Sequence, residues 1–202
     1  MKLIGFYDYT VVLTYLSLAS ALAGMVLGSR GRFTAGVLCL LLCGIFDAFD
    51  GIVARSKKDR THRQVSFGIQ IDSLVDVVAF GVFPAVLCYQ MGGKSILGLA
   101  CGFVYVLCAV IRLAFFNVLE ELRQKDEGGG VNKYYRGLPV TTASMILPVF
   151  YILRAFMSNR LFSTLFCIVL VLMAFLFVLD FSVKKINWLR VIGLQKKREQ
   201  QV

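Results

Sequence analysis

Long apolar runs separated by short polar segments dominate the chain from residue 10 to residue 183. Each run approaches the ~20 residues that a helix needs to cross the hydrocarbon core of a bilayer. The pattern predicts six membrane-spanning helices, over residues 10–27, 33–54, 67–91, 96–118, 138–157 and 161–183. Because we find no internal repeat, we predict one six-span domain over 1–183 and a basic tail over 184–202.

Composition excludes both an ordinary soluble domain and a disordered chain. Of the 202 residues, 58% are hydrophobic and 17% are charged, whereas soluble domains average about 45–50% and about 25%. Seventeen Phe and eight Tyr are also atypical of disordered segments. We therefore expect an all-α integral membrane bundle.

Basic residues are unevenly divided between the two sides of the predicted bundle. The formal net charge is +10, which between membrane spans is typical of the positive-inside bias and of anionic lipid, and we expect no nucleic-acid partner. With both termini on one side, that side carries fifteen Lys and Arg and the opposite side five. This division predicts cytoplasmic termini and a cell-membrane location, although Arg30 and Arg32 on the opposite side run against the trend.

Two further features point to structure rather than to chemistry. All six cysteines lie in predicted spans, and with His62 as the single histidine no zinc-ligand spacing exists, so we interpret them as buried thiols. The segment Ala19-Ser20-Ala21 resembles a signal-peptidase site. The apolar run continues through Leu27, however, so we expect the first span to be retained.

Four aspartates interrupt the second and third predicted spans near one membrane boundary. Asp47 and Asp50 precede the intervening loop, and Asp72 and Asp76 follow it. Spacings of three and four residues place each pair on one helix face, and the short loop makes the helices antiparallel neighbours. Charged groups inside a span are costly and mark functional sites. Facing carboxylates are accommodated by hard divalent cations such as Mg²⁺ or Mn²⁺.

Small residues lie on the same helix faces as these aspartates. Gly51, Ala54 and Gly68 leave room for a ligand near the backbone, and the guanidinium of Arg55 could bind a phosphate. Together the eight positions form the pattern Asp47-x-x-Asp50-Gly51-x-x-Ala54-Arg55…Gly68-x-x-x-Asp72-x-x-x-Asp76. This pattern resembles the signature of the CDP-alcohol phosphotransferases.

The resemblance implies a six-span enzyme in which an alcohol hydroxyl displaces CMP from a CDP-linked lipid, with two divalent cations, Mg²⁺ or Mn²⁺, as cofactors. It also implies a homodimer. The implied metal ligands are Asp47, Asp50, Asp72 and Asp76, and Asp76 would in addition be the general base. The implied contacts to the nucleotide of the CDP-lipid are Gly51, Ala54, Arg55 and Gly68.

The chain departs from the family pattern in three places. Twelve residues, 56–67, separate Arg55 from Gly68, whereas eight are usual in the family. Val65 occupies a position where a small hydroxyl residue is common, and the neighbouring Ser66 is a candidate substitute for it. Thr14 and Ser17 resemble a family Thr-x-x-Asn but lack the preceding Pro-Asn. We interpret them mainly as helix-packing groups and keep Thr14 as a candidate nucleotide contact.

A second pattern bears on the acceptor alcohol. The segments are Arg112-Leu113-Ala114-Phe115-Phe116-Asn117 and Tyr135-Arg136-Gly137-Leu138-Pro139-Val140. They resemble the bacterial and archaeal phosphatidylserine synthases, which implies transfer from CDP-diacylglycerol to L-serine. The serine carboxylate favours an arginine or lysine, and the candidates are Arg112, Lys133 and Arg136. We interpret Pro139 as a helix-start residue.

Two alternatives stay open at the level of sequence. The acceptor could be glycerol 3-phosphate or an inositol phosphate, which would require more converging basic side chains than a carboxylate does. The four aspartates could instead form the pathway of a divalent-cation carrier. That interpretation leaves Gly51, Ala54, Arg55 and Gly68 without a role.

Overall fold

Helices account for nearly all of the regular structure in the computed structural model. The structure describes residues 5–6, 9–57, 61–92, 94–125 and 134–184, without the side chains of 54–56, 123–125, 134–136 and 182–184. Within these ranges the α-helices are α1 (Val12–Ser29), α2 (Phe33–Ser56), α3 (His62–Asp76), α4 (Phe83–Met91), α5 (Ile96–Lys125), α6 (Ala143–Ile152) and α7 (Asn159–Val178). Short 3₁₀ turns precede α1 (Tyr9–Val11) and flank α6 (Val140–Thr142, Leu153–Phe156). The predicted tail lies almost wholly outside the described residues.

Among the residues that the structure describes, five helical stretches are long and apolar enough to cross a membrane, as expected of a multi-pass membrane protein. They are Tyr9–Ser29, Phe33–Val53, His62–Met91, Ile96–Leu122 and Asn159–Val178. The predicted helical class and these five spans are thereby confirmed. The predicted span 138–157 corresponds to a shorter apolar helical segment, Val140–Phe156. The predicted start at 67 and end at 183 were wrong, since α3 begins at His62 and α7 ends at Val178.

A capping box explains the early start of α3. The Thr61 hydroxyl accepts a hydrogen bond from the Gln64 backbone N–H (3.3 Å), and the Thr61 N–H donates to the Gln64 side-chain oxygen (2.9 Å). This reciprocal arrangement satisfies backbone donors that a helix N-terminus otherwise leaves unpaired. Much of the long 56–67 interval is therefore helix, and it extends α3 rather than enlarging a loop.

A π-helical segment, Val77–Val82, joins α3 to α4 in one continuous rod. It begins directly after Asp76, and its wider turn rotates the following residues relative to an α-helix. The fully buried Tyr105 on α5 donates a 2.7 Å hydrogen bond to the Phe80 carbonyl within this segment. The rod is thus fixed to α5 just beyond the aspartates.

A two-stranded ribbon is the one departure from the predicted all-α class. Strand β1 (Tyr134–Arg136) pairs antiparallel with β2 (Ser182–Lys184). Strand β1 lies between the predicted spans 96–118 and 138–157, and β2 overlaps the predicted end of the span 161–183. The backbone becomes extended at Leu179, directly after α7 (φ −71°, ψ 124°), and the two short segments then pair because α7 ends beside residue 137.

Close helix packing and an aromatic core hold the bundle together. A Cβ at Gly24 of α1 would overlap the Phe83 ring of α4, and one at Gly36 of α2 would lie 3.2 Å from the Gly24 carbonyl oxygen. Small residues of this kind let membrane helices approach closely. The largest fully buried side chains include Phe80, Phe83, Tyr105, Phe162 and Phe177. Among them, Tyr105 of α5 contacts Phe177 of α7 (ring centroids 5.4 Å apart), and Phe162 of α7 stacks on Phe150 of α6 (5.3 Å).

Candidate functional site

Three aspartates from two neighbouring helices form a compact carboxylate cluster. α2 carries Asp47 and Asp50 and α3 carries Asp72, and carboxylate oxygens of the three lie within 4.8 Å of one another. Asp47 and Asp72 are half-buried, and Asp50 is only 9% exposed. The antiparallel arrangement of α2 and α3 produces this juxtaposition, because each helix presents its aspartates toward the other.

The donor set of this cluster fits a hard divalent cation. All three side chains offer carboxylate oxygens, which Mg²⁺ and Mn²⁺ prefer over nitrogen or sulfur. Oxygens on opposite sides of a magnesium ion lie about 4 Å apart, close to the span of the cluster. Three like charges in a low-dielectric position would otherwise repel one another strongly. The cluster is therefore a candidate site for divalent cations.

One cavity adjoins the cluster on the side of α1. This α1-side cavity has a volume of about 180 Å³ and lies between α1, α2 and α3. It is lined by Thr10, Val11, Thr14, Asp50, Gly51, Val65, Gly68, Ile69 and Asp72. Both threonines are buried, at 4% exposure each, so the cavity combines hydroxyl groups, glycines and two carboxylates.

A second cavity adjoins the cluster on the side of α5. This α5-side cavity has a volume of about 230 Å³. It is lined by Asp47, Asp72, Ser73, Asp76, Arg112, Leu113, Phe116, Pro139, Val140 and Thr141. Asp76 (9% exposed) and Arg112 (7% exposed) are its most buried charged groups. Because Asp72 lines both cavities, the carboxylate cluster lies at their boundary.

Hydrogen bonds between α3 and α5 fix the two sides of the α5-side cavity relative to each other. The Ser73 hydroxyl donates to the Asn117 side-chain oxygen (2.6 Å), and the Asn117 amide donates to the Gln70 side-chain oxygen (3.3 Å). Ser73 directly follows Asp72, and Asn117 lies little more than one helical turn beyond Arg112. These two hydrogen bonds therefore fix the position of Asp72 on α3 relative to that of Arg112 on α5.

Gly137 positions the wall of the α5-side cavity that precedes α6. Its N–H donates to the Phe181 carbonyl (2.7 Å) and the Leu138 N–H donates to the Leu176 carbonyl (3.2 Å). With φ at +71°, Gly137 is in the left-handed region that favours glycine. A Cβ there would lie 3.0–3.1 Å from the carbonyl oxygens of Leu179 and Phe177 at the end of α7, and 3.5 Å from the Arg112 Nε.

We expect Gly137→Ala to lower the free energy of unfolding in detergent by about 2–4 kcal/mol, because backbone strain adds to overpacking. Gly31→Ala is the matched control, since Gly31 also has a positive φ (+75°) but has nothing within 4 Å of its would-be Cβ. It should lose only about 1–2 kcal/mol. Denaturant or thermal unfolding of the two variants checks this. Equal losses would mean that the contacts around Gly137 contribute nothing.

The structure distributes the sequence-predicted residues over the two cavities. Gly51, Gly68 and Thr14 line the α1-side cavity, while Ser66 is half-buried and Val65 lines the cavity in its place. Ser17 is buried within the bundle (3% exposed). Asp76 lies outside the 4.8 Å carboxylate cluster but lines the α5-side cavity with Arg112. Lys133 lies outside the described residues, and the structure does not describe the side chains of Ala54, Arg55 and Arg136.

Several cavity residues were not predicted from the sequence. Ser73 lines the α5-side cavity, and Asn117 accepts its hydrogen bond without lining the cavity. Both offer a signal in the sequence, because they are polar residues in apolar runs. Pro139 was interpreted only as a helix-start residue, yet it lines the α5-side cavity together with Thr141. Nothing in the local sequence of 139–141 indicates this, because the cavity arises only when the 3₁₀ turn Val140–Thr142 packs against α2, α5 and the π-helical segment.

Comparisons with known proteins show which family and which relatives this chain is similar to. A family model described as CDP-alcohol phosphatidyltransferase matches residues 9–179. The chain is 35% identical over 152 residues to the archaetidylserine synthase of Methanothermobacter thermautotrophicus. It is 33% identical over 159 residues to the CDP-diacylglycerol–serine O-phosphatidyltransferase of Saccharomyces cerevisiae. It is 30% identical over 165 residues to the protein of the same name in Methanocaldococcus jannaschii.

These alignments cover most of this chain but less of the relatives. They span 75%, 76% and 81% of the present chain, in the same order, and 60%, 56% and 69% of the relatives' own lengths. The matched family region, 9–179, contains the carboxylate cluster, Asp76 and Arg112.

Proposed function

Since the chain belongs to the CDP-alcohol phosphatidyltransferase family, we propose that it transfers the phosphatidyl group of CDP-diacylglycerol to the hydroxyl of L-serine and releases CMP. One observation carries the choice of acceptor. The α5-side cavity, next to the carboxylate cluster, holds one buried arginine and one further buried carboxylate, Arg112 and Asp76. Relatives named CDP-diacylglycerol–serine O-phosphatidyltransferase support the same choice.

The α1-side cavity is the proposed site of the cytidine diphosphate. Gly51 and Gly68 allow the ligand to approach the backbone, and the Thr14 hydroxyl offers a hydrogen bond. Ala54 and Arg55, in the last turns of α2, and Ser66 complete the proposed contacts. The diacylglycerol chains would stay in the bilayer while the diphosphate reaches the cluster.

The carboxylate cluster is the proposed cation site. Asp47, Asp50 and Asp72, with Asp76 beside them, would hold two divalent cations, Mg²⁺ or Mn²⁺. When bound, such ions neutralise the diphosphate and stabilise the negative charge that develops on it during transfer.

The α5-side cavity is the proposed serine site. The Arg112 guanidinium can bind the serine carboxylate with two parallel hydrogen bonds, and Lys133 and Arg136 remain candidates for the same role. Asp76 accepts the proton of the serine hydroxyl. The serine oxygen then bonds to the phosphorus that carries diacylglycerol, the bond from that phosphorus to the CMP oxygen breaks, and CMP leaves.

The membrane arrangement follows from the position of the site at one end of the bundle. We propose that Val140–Phe156 completes a six-span domain over 1–183, with the tail 184–202 and both termini in the cytoplasm. The cluster near the α2–α3 connection would then face the cytoplasm from the cell membrane, where serine is available. The homodimer implied by the family resemblance is part of the proposal, and light scattering of the purified protein tests it.

Purified protein in detergent with CDP-diacylglycerol and Mn²⁺ or Mg²⁺ should release CMP when L-serine is added. Excess chelator should abolish the release, and added metal should restore it, because the cluster needs cations to hold the diphosphate. Glycerol 3-phosphate and inositol phosphate, tested in place of serine, are the matched acceptors. CMP release with one of these alone would replace the acceptor and keep the chemistry.

Two observations disfavour the alternative functions. Among the described side chains that line the α5-side cavity, Arg112 is the one basic group, whereas a phosphate acceptor calls for several. The carboxylate cluster groups its three aspartates within 4.8 Å of one another instead of distributing them across the bilayer, which a cation pathway would require. Metal uptake into liposomes without CMP release would nevertheless establish a carrier.

A further inference from the structure

A basic cavity lies at the opposite end of α2 from the carboxylate cluster. Its volume is about 540 Å³, and it is lined by Gly31, Arg32, Phe33, Thr34, Ala35, Tyr151 and Arg154. Thr34 and Asp50 are sixteen residues apart on α2, which corresponds to ~24 Å along a helix. This far-side cavity is therefore separated from the proposed active site by most of the membrane thickness.

Arg154 is held in a defined orientation at this cavity. Its guanidinium carbon lies 5.0 Å from the centroid of the Phe33 ring and 5.8 Å from that of Tyr151. Its Nη1 donates to the Tyr151 hydroxyl (3.3 Å). Stacking of this kind fixes the plane of the guanidinium and leaves its remaining N–H groups at the edge for an anion.

The hydroxyl groups of Tyr151 and Thr34 add a hydrogen-bond donor to this cavity. The Tyr151 oxygen lies 3.0 Å from the Thr34 Oγ1, so these two groups share one hydrogen bond. Since the pair has two hydroxyl hydrogens and Arg154 donates to Tyr151, one hydrogen is left to donate elsewhere. The first backbone N–H groups of α2 begin at the same place, where Arg32 is the N-cap residue and gives no side-chain cap. They add to the positive potential set by the arginines.

The sequence supplies no negative charge at this end of the bundle. Its basic residues, at the three connections on this side, are Arg30, Arg32, Lys94, Arg154 and Arg160. The segments 28–34, 92–96 and 152–161 contain no Asp or Glu. No carboxylate of these segments competes for the arginines, so they are available to an anion from outside the chain. Such an anion would also account for Arg30 and Arg32 on the side where the positive-inside trend predicts few basic residues.

We propose that the far-side cavity binds the phosphate of an anionic phospholipid in the leaflet opposite the active site, with Arg32 and Arg154 as its principal ligands. A phosphate oxygen suits both guanidinium groups and the hydroxyl donor. Free phosphate offers the same chemistry. The lipid is favoured because the helical segment that carries Arg154 also exposes large apolar side chains that acyl chains can contact, with Ile152 64% and Phe156 82% exposed.

Binding of short-chain phosphatidylglycerol to the full chain in neutral detergent, followed by native mass spectrometry and by thermal stabilisation, tests this proposal. Phosphatidylcholine with the same chains and inorganic phosphate are the comparison ligands. We expect saturable binding and stabilisation with phosphatidylglycerol, and at least about tenfold weaker binding of the other two. Equal effects of the two lipids, or a full effect of inorganic phosphate alone, would overturn the lipid assignment.

Variants locate the site on the protein. Arg32→Ala and Arg32→Ala/Arg154→Ala should weaken phosphatidylglycerol binding by about tenfold or more. Arg160→Ala is the matched control, since it removes the same charge from the same end but does not line the cavity, and binding should change by less than about twofold. The single variant keeps the Arg154 stacking intact, so a folding defect in the double variant leaves the test decisive. Unchanged binding in Arg32→Ala, or an equal loss in Arg160→Ala, would refute the site.

Discussion

Asp76→Asn is expected to lower the kcat of serine-dependent CMP release by about 10²- to 10⁴-fold, the usual contribution of a general base. The substitution preserves the size of the side chain and one oxygen ligand but removes the proton acceptor. Asp76 is nearly buried, ends α3 and shares the α5-side cavity with Arg112. Steady-state assays at saturating substrate measure the effect.

Metal binding separates the role of Asp76 from that of the carboxylate cluster. Because Asp76 lies outside the 4.8 Å set formed by Asp47, Asp50 and Asp72, Asp76→Asn should weaken Mn²⁺ binding less than Asp50→Asn does. Electron paramagnetic resonance of free Mn²⁺ provides this readout. Asp180→Asn, at an exposed position after α7, is the control for general effects. Near-normal CMP release by Asp76→Asn would show that the base is another group.

Arg112→Ala is expected to raise the KM for serine by about 10- to 150-fold, which corresponds to the 1.5–3 kcal/mol of a hydrogen-bonded charged group. The KM for CDP-diacylglycerol should change by less than about twofold, since the two substrates occupy different cavities. Initial rates over a serine titration at fixed CDP-diacylglycerol give the serine KM, and a CDP-diacylglycerol titration at saturating serine gives the other constant. An unchanged serine KM would remove Arg112 from the proposed acceptor site.

Arg112→Lys distinguishes a charge requirement from the two-pronged geometry of the guanidinium. Lysine keeps the charge but cannot form two parallel hydrogen bonds to a carboxylate, so its serine KM should lie between those of the wild-type protein and Arg112→Ala. Arg112 is buried (7% exposed), and truncation can also destabilise the fold. Thermal unfolding of both variants accompanies the kinetics. Equal stability with different serine KM values would tie the effect to binding.

Because Asp72 lies at the boundary of the two cavities, the two proposed substrates would reach it from different sides. The donor diphosphate in the α1-side cavity and serine in the α5-side cavity would approach the same carboxylate cluster from opposite sides. Such an arrangement suits a displacement in which attacking and leaving oxygens lie on opposite sides of the phosphorus. The hydrogen bonds from Ser73 to Asn117 and from Asn117 to Gln70 keep the two walls in register.

The carboxylate cluster shows which features of this protein can be predicted from local sequence. Apolar run length identified the five bilayer-length helices. The three-residue spacing of Asp47 and Asp50 and the four-residue spacing of Asp72 and Asp76 placed each pair on one helix face, since helical periodicity is a local property. The early start of α3 was equally local. It is encoded by Thr61 and Gln64, a capping-box pattern that the length of the apolar run does not reveal.

Only the tertiary structure decided how the rest of the site is enclosed. Strands β1 and β2 pair across nearly fifty residues, and neither has a sequence pattern of its own long enough to predict a strand. The role of Thr141 depends on the packing of the 3₁₀ turn before α6, and the need for glycine at 137 depends on the Phe177 and Leu179 carbonyl oxygens at the end of α7. Helix spans and the aspartate faces follow from interactions between near neighbours, whereas the cavity walls depend on contacts between residues distant in sequence.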